Sequence, residues 1–320
     1  MSLPRPFTGD HERMKLTMTI ICLLAMTAAA CSPAPAPNRT RADAPRPSFD
    51  GPVTPDNIDR LDPNALFWEM FYRQARQSVL HTRREYFETP ERAAERRKVT
   101  VNDEIYDFGT RRQVGASIDH RRGEGAMWDK CIDGTYYDYS PSRRKWTPGY
   151  SPLCRASNRP FLGDGIIPAG LTDTQAVTMI NQLNRESWRF LTAERPRLIE
   201  VGGATHIRLP VRARALVDHD GRRWDMQHLI WAFKKTGLDI MAYPYHTADN
   251  SAAGADIVYY IDPRTLLPSY MFRQTLRPSE TGEPQPAAVT RVEYIRPPNF
   301  PADPLADTTP WALSWSPDTR

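Results

Sequence analysis

Ile207-Arg208-Leu209-Pro210-Val211-Arg212-Ala213-Arg214-Ala215-Leu216-Val217 sets Ile207, Leu209, Val211, Ala213, Ala215 and Val217 against Arg208, Arg212 and Arg214. Side chains leave a strand on alternating sides, so a period of two with apolar and charged partners means one buried face and one wet face. A sheet with one wet face is normally antiparallel, because parallel sheets are covered on both sides. Downstream, Asp220-Gly221 supplies a turn, and 225–233 is expected to return as the antiparallel partner. Further strands are expected at 257–261, 269–276 and 289–295, separated by turns at Asp262-Pro263-Arg264 and across 278–286.

Upstream, Thr172 and Gln175 form a capping box that opens a helix with Ala176, Val177, Ile180 and Leu183 on its inner face. Residues 186–196 fit a continuing helix or a strand equally. Earlier still, Asp62 as N-cap and Pro63 at the first helical position start a helix with Leu66, Phe67, Met70, Phe71, Ala75 and Val79 on one stripe. Its other side, Glu69, Arg73, Arg76 and Gln77, reads as solvated. From 82 onward the pattern turns to strands at 82–88, 98–106 and 111–120, then 125–132 and 135–139 around the hairpin dipeptide Asp133-Gly134, and a turn at 140–145 before Trp146. A meander is the simplest arrangement. The fold class expected is α+β: a large antiparallel sheet, an unclosed half-barrel, with helices packed on its concave face.

The amino terminus has its own logic. Met14-Lys15-Leu16 precedes an apolar run from Met18 to Met26, then Thr27-Ala28-Ala29-Ala30-Cys31, the charged, apolar and small-residue order of a signal peptide. The run is shorter than the roughly 20 apolar residues a membrane-spanning helix needs. Small residues before a cysteine resemble the lipobox of bacterial lipoproteins, which implies a diacylated Cys31 as the first mature residue. The same alanines suit an ordinary secretory peptidase, which would release the protein. Either Met1 or Met14 serves as the start. Residues 1–30 then form the leader and 31–56 a proline-rich tether, too poor in apolar residues to offset ordering. Residues 57–305 form one sheet domain and 306–320 a tail.

With Cys22 leaving in the leader, Cys131 and Cys154 remain in the folded body. An oxidising compartment favours their pairing as a disulfide, and no further soft ligand sits at metal spacing. Forty-two basic against 38 acidic residues give a net charge of +4, spread without a basic helix, which argues against nucleic acid as a partner. No nucleophile elbow, zincin, dinucleotide or phosphate-loop motif occurs. Asp107-Phe108-Gly109 lacks the other kinase motifs. Asp218-His219-Asp220-Gly221 with Asp225 lacks the closing carboxylate of a calcium loop. His206, His228 and His246 fall in separate elements. No catalytic residue, metal ligand or cofactor is assigned, and the chain reads as non-enzymatic.

Asp133-Gly134-Thr135-Tyr136-Tyr137 with Trp146, Tyr259-Tyr260-Ile261-Asp262-Pro263 with Leu267-Pro268, and Val292 to Ile295 running into Pro297 carry a resemblance. In a lipoprotein, this element order resembles the LolA/LolB and LppX/LprG group of lipid and lipoprotein carriers, and the related half of RseB-type regulators. The resemblance implies an apolar pocket between sheet and helices for a lipid or other amphiphile. Phe67, Phe71, Trp128, Tyr137, Val211, Ala213, Trp231, Tyr259 and Met271 are its expected lining, although each also suits an ordinary core. It further implies an extracytoplasmic, membrane-anchored place in the cell envelope, with an envelope protein as an alternative partner in a sensing or interaction role.

Overall fold

The computed structural model describes residues 52–95, 98–110, 112–120, 127–140, 143, 145–149, 169–186, 190–215, 224–237 and 253–296. The leader, Cys31, tether residues 32–51 and the chain beyond 296 lie outside the described residues, as do Cys154, His246 and residues 218–221. Of the expected tether, 52–56 are described, and Val53 is buried in the core with its amide donating to the Pro263 carbonyl at 2.9 Å.

Helix α1, Pro63–Ala75, begins as its sequence dictates: the Asp62 carboxylate accepts from the Ala65 amide at 2.8 Å, and Pro63 occupies the first turn. Its stripe stops at Ala75, and Val79 instead opens the first strand, β1, Val79–Phe87. The helix is buried far beyond one stripe. Trp68, Glu69, Tyr72 and Gln74 are buried along with Leu66, Phe67, Met70 and Phe71. Glu69, read as solvated, is 2% exposed and is held by Arg73 at 2.7 Å, so its charge enters the protein with a partner.

A short helix α2, Pro90–Ala94, capped by Thr89, follows. Then come β2 (Thr100–Asp107), β3 (Arg112–Asp119), β4 (Met127–Ile132), β5 (Thr135–Ser140) and β6 (Lys145–Gly149). These run as the expected meander, β1 to β6 in order. The β4–β5 turn has Asp133 at φ 50° and Gly134 at φ 80°, the paired positive angles that the Asp-Gly dipeptide signals.

Helix α3, Asp173–Glu186, opens on its capping box: Gln175 N–H donates to the Thr172 hydroxyl, and Thr172 N–H to the Gln175 side chain at 3.0 Å. The ambiguous stretch resolves as β7 (Leu191–Ala193), with β8 (Arg197–Val201) after it, and β9 spans Ala204–Arg214. The expected return strand at 225–233 is instead helix α4, Trp224–Lys235. Met226, Leu229, Ile230 and Phe233 recur at helical spacing in that sequence, and both flanks of β9 are already taken. Strand β10 (Gly254–Ile261) pairs along one flank of β9, while β7 and β8 share the other.

Pro210 marks the break between β7 and β8. Its carbonyl accepts from Glu194 at 2.8 Å, and its missing amide faces the same gap, so no ladder bond is forfeited. Strands β11 (Pro268–Arg277) and β12 (Gln285–Tyr294) complete the sheet, and β12 pairs with β1. The order is β6-β5-β4-β3-β2-β1-β12-β11-β10-β9-β7, with β8 also on β9; every pairing is antiparallel, and the outermost strands do not meet.

In the C-terminal half, one face of this unclosed sheet carries the main core. Ile207, Leu209, Val211, Ile257, Tyr259, Ile261, Met271 and Val292 pack there with α1 and with Met179 and Leu183 of α3 and Phe233 of α4. Helices α3 and α4 are joined to each other, with His228 of α4 in contact with the Gln182 carbonyl at 3.0 Å. In the N-terminal half, register reverses the roles of the two faces. Val101, Ile105, Val114, Ala116 and Ile132 are buried on the far face, and the helical face becomes polar.

Candidate functional site

Of the nine expected lining residues, six share the helical face. Val211 and Ala213 lie on β9, Tyr259 on β10 and Met271 on β11, in register, while Phe67 and Phe71 descend from α1. The Phe67 and Tyr259 rings are 6.0 Å apart, and Phe67 and Phe71 are 6.3 Å apart. Phe67, Phe71, Val211, Tyr259 and Met271 are buried at 2% exposure or less, and burial drives the Tyr259 phenol well above its ordinary pKa.

The other three are elsewhere. Trp128 on β4 and Tyr137 on β5 face the opposite side of the sheet, because Ala116 pairs with Trp128 and Lys130 with Tyr137. There Trp128 meets Tyr139 edge to face at 5.7 Å, Tyr139 meets Trp146 at 5.3 Å, and the buried Lys130 ammonium sits 4.0 Å from the Trp146 ring centroid. Trp231 is 43% exposed on α4, with the Lys235 ammonium 5.0 Å from its ring centroid. Cys131 is buried and disulfide-bonded.

A feature absent from the sequence reading lies beyond the apolar core on the same helical face. Register sets Glu104 of β2, Gly115 of β3, Asp129 of β4 and Asp138 of β5 in one row across four strands. Gly115 leaves a notch that Asp129 fills: a Cβ there would lie 2.6 Å from Asp129 Oδ1. Arg84 of β1 reaches Glu104 at 2.5 Å. Burial, then the charges of Glu104 and Asp138, push the Asp129 carboxyl up to about 7. Beside it, burial and a hydrogen bond to Asp138 raise the Tyr136 phenol. The row can hold a proton near neutrality, or accept hydrogen bonds from a polar group. A glycine opposite an aspartate was its only mark in the sequence, and finding it required the register of four strands.

On the far face, Asp103 of β2 is 2% exposed and held by His81 Nε2 at 2.7 Å and by Arg83 at 2.7 and 2.9 Å. Burial would raise its pKa, but the hydrogen bonds and charges of His81 and Arg83 outweigh burial and keep it below the ordinary value. Lys98 pairs with Glu85 at 2.9 Å beside them. Asp107 of the Asp-Phe-Gly triplet caps the β2–β3 turn by accepting from Gly109 and Thr110. Among the described residues, no group of three or more His, Cys, Asp or Glu could hold a metal ion, and no helix is long and apolar enough to cross a membrane. Neither a protein-family model nor a curated protein matches the chain.

Proposed function

We propose that this protein is an extracytoplasmic lipoprotein, anchored through an acylated Cys31, that binds or carries a lipid or other amphiphile in the cell envelope without catalysing a reaction. The observation that carries the reading is the helical face of the unclosed sheet. An apolar field built from Phe67, Phe71, Val211, Tyr259 and Met271 gives way, across the sheet from β9–β11 to β2–β5, to the polar row of Glu104, Asp129 and Asp138. That gradient matches an amphiphile, with the apolar part against the core strands and the head toward carboxylates that accept hydrogen bonds. Helices α3 and α4, which contact each other, with α3 also against α1, are the elements whose displacement would admit a chain. The leader and the proline-rich tether supply the location.

Native mass spectrometry of the protein from its own membranes tests this directly. A co-purifying lipid is expected, together with loss of membrane partitioning in Cys31→Ser. Protein that carries no lipid, and delipidated protein that takes none up from vesicles, would overturn the carrier reading.

A second reading, an envelope-sensing or protein-interaction module, is favoured by one fact. The expected lining residues on α1, β9, β10 and β11 form a filled core as they stand. Crosslinking in intact cells would then recover one defined membrane partner, and no carried lipid.

A further inference from the structure

The far face of β8 and β9 carries an arrangement that the core does not explain. Arg197 and Arg208 are directly opposite each other in the β8–β9 ladder, so their side chains leave the same face. Like charges in that position repel. Three neighbouring arginines have carboxylate partners: Arg195 pairs with Asp59 at 2.8 Å, Arg212 with Glu194, and Arg214 with Asp256 at 2.9 Å. Arg197, which is exposed, and Arg208, which is half-buried, have no carboxylate within ion-pair distance among the described residues.

The same row continues inward through two phenols. Arg208 lies opposite Tyr260, and Tyr260 opposite Tyr270, whose ring is 5.7 Å from that of His206. The next residue in the row is Glu293, which faces Tyr270. At about 4.8 Å per strand it is about 14 Å along the sheet from Arg208 and leaves the arginine pair uncompensated.

We infer that Arg197 and Arg208, with the Tyr260 hydroxyl beside them, form a binding site for a phosphate group on the sheet face opposite the helices. Two planar guanidinium forks on adjacent strands offer parallel N–H donors to a tetrahedral oxyanion, and a dianion cancels the repulsion that the empty pair sustains. The phenol adds a neutral donor at the inner side. A free phosphate and a phosphorylated lipid headgroup present the same chemistry. The site does not depend on the carrier reading, which concerns the other face.

Thermal unfolding of the purified full chain, titrated with inorganic phosphate at constant ionic strength, is the test. A saturable rise in melting temperature is expected for the unsubstituted protein. Arg197→Gln and Arg208→Gln should weaken the apparent affinity at least about tenfold, the loss expected for a charge-assisted contact. Without phosphate, both should melt at or above the unsubstituted protein, since repulsion is relieved. Arg212→Gln, which breaks a satisfied pair, should keep the phosphate response. A response equal in all four proteins, or no response, would overturn the site.

Vesicles of phosphatidic acid against phosphatidylcholine then separate the sources. Sedimentation with phosphatidic acid that Arg208→Gln abolishes identifies a lipid headgroup. A melting response without sedimentation identifies a soluble phosphate.

Discussion

Replacing Asp129 by Asn isolates the effect of one charge, because the two side chains have nearly the same shape and the Gly115 notch accepts either. In the folded chain, burial and the facing carboxylates of Glu104 and Asp138 raise this carboxyl from its ordinary 3.8 to about 7. Between those two values the native state holds a proton that the unfolded chain has released. Stability contributed by this group is therefore greatest below pH 3.8, declines as pH rises through the interval, and is level above 7. At about 1.4 kcal/mol per unit, the full effect is about 4 kcal/mol. Asp129 is only half-buried and Asp138 is exposed, so solvent screening reduces this to about 2 kcal/mol. Asp129→Asn should thus be more stable than the unsubstituted protein by about 2 kcal/mol at pH 8, or roughly 5 °C in melting temperature, with the two converging near pH 4. Urea unfolding at pH 4.5, 6, 7 and 8 measures the difference. Parallel pH profiles for the two proteins, or a less stable variant at pH 8, would refute the electrostatic account of the row.

Gly254 holds φ 146°, and a Cβ there would lie 2.3 Å from the Ala213 carbonyl oxygen, so Gly254→Ala should cost more than about 2 kcal/mol in chemical denaturation by parting β9 from β10. Cys131→Ser should lower stability by roughly 3 kcal/mol through loss of its disulfide, and thiol titration of unreduced protein should find Cys131 unreactive. Phe71→Ala, at a fully buried position between α1 and the sheet, should cost about 3–5 kcal/mol by the same denaturation assay.

Features set by adjacent residues are legible in the sequence. The alternation at 207–214, the Asp133-Gly134 hairpin, the Asp62 cap and the Thr172–Gln175 box each depend on a few adjacent residues, and each stands in the structure. The failures share a different cause. Residues 225–233 read as a strand from sequence because a short apolar run after a turn dipeptide fits a hairpin as well as a helix; both flanks of β9 are occupied by β10 and by β7 and β8, and the segment is a helix. Glu69 reads as solvated from the α1 stripe alone, because its burial beside Arg73, which donates to the Thr265 carbonyl at 3.0 Å, depends on tertiary contacts that the α1 sequence does not encode. Trp128 and Tyr137 lie on the face opposite the expected one because facing is relative. Each strand states its own alternation, but agreement between strands requires the register of every ladder from β1 to β5.

The ladder between β1 and β12 sits at the middle of the strand order and joins Thr82 to Tyr294. Its formation must await the arrival of almost the last described segment, so the two sheet halves are separate hairpin arrays until then, each with a bare border. A chain cleaved before residue 285 would keep β1–β6 and β7–β11 and lose β12, the strand that joins them and brings Val292 and Tyr294 to the core. Such fragments would offer β1 and β11 as templates to one another or to neighbouring molecules, making the carboxyl-terminal strand the safeguard against intermolecular association.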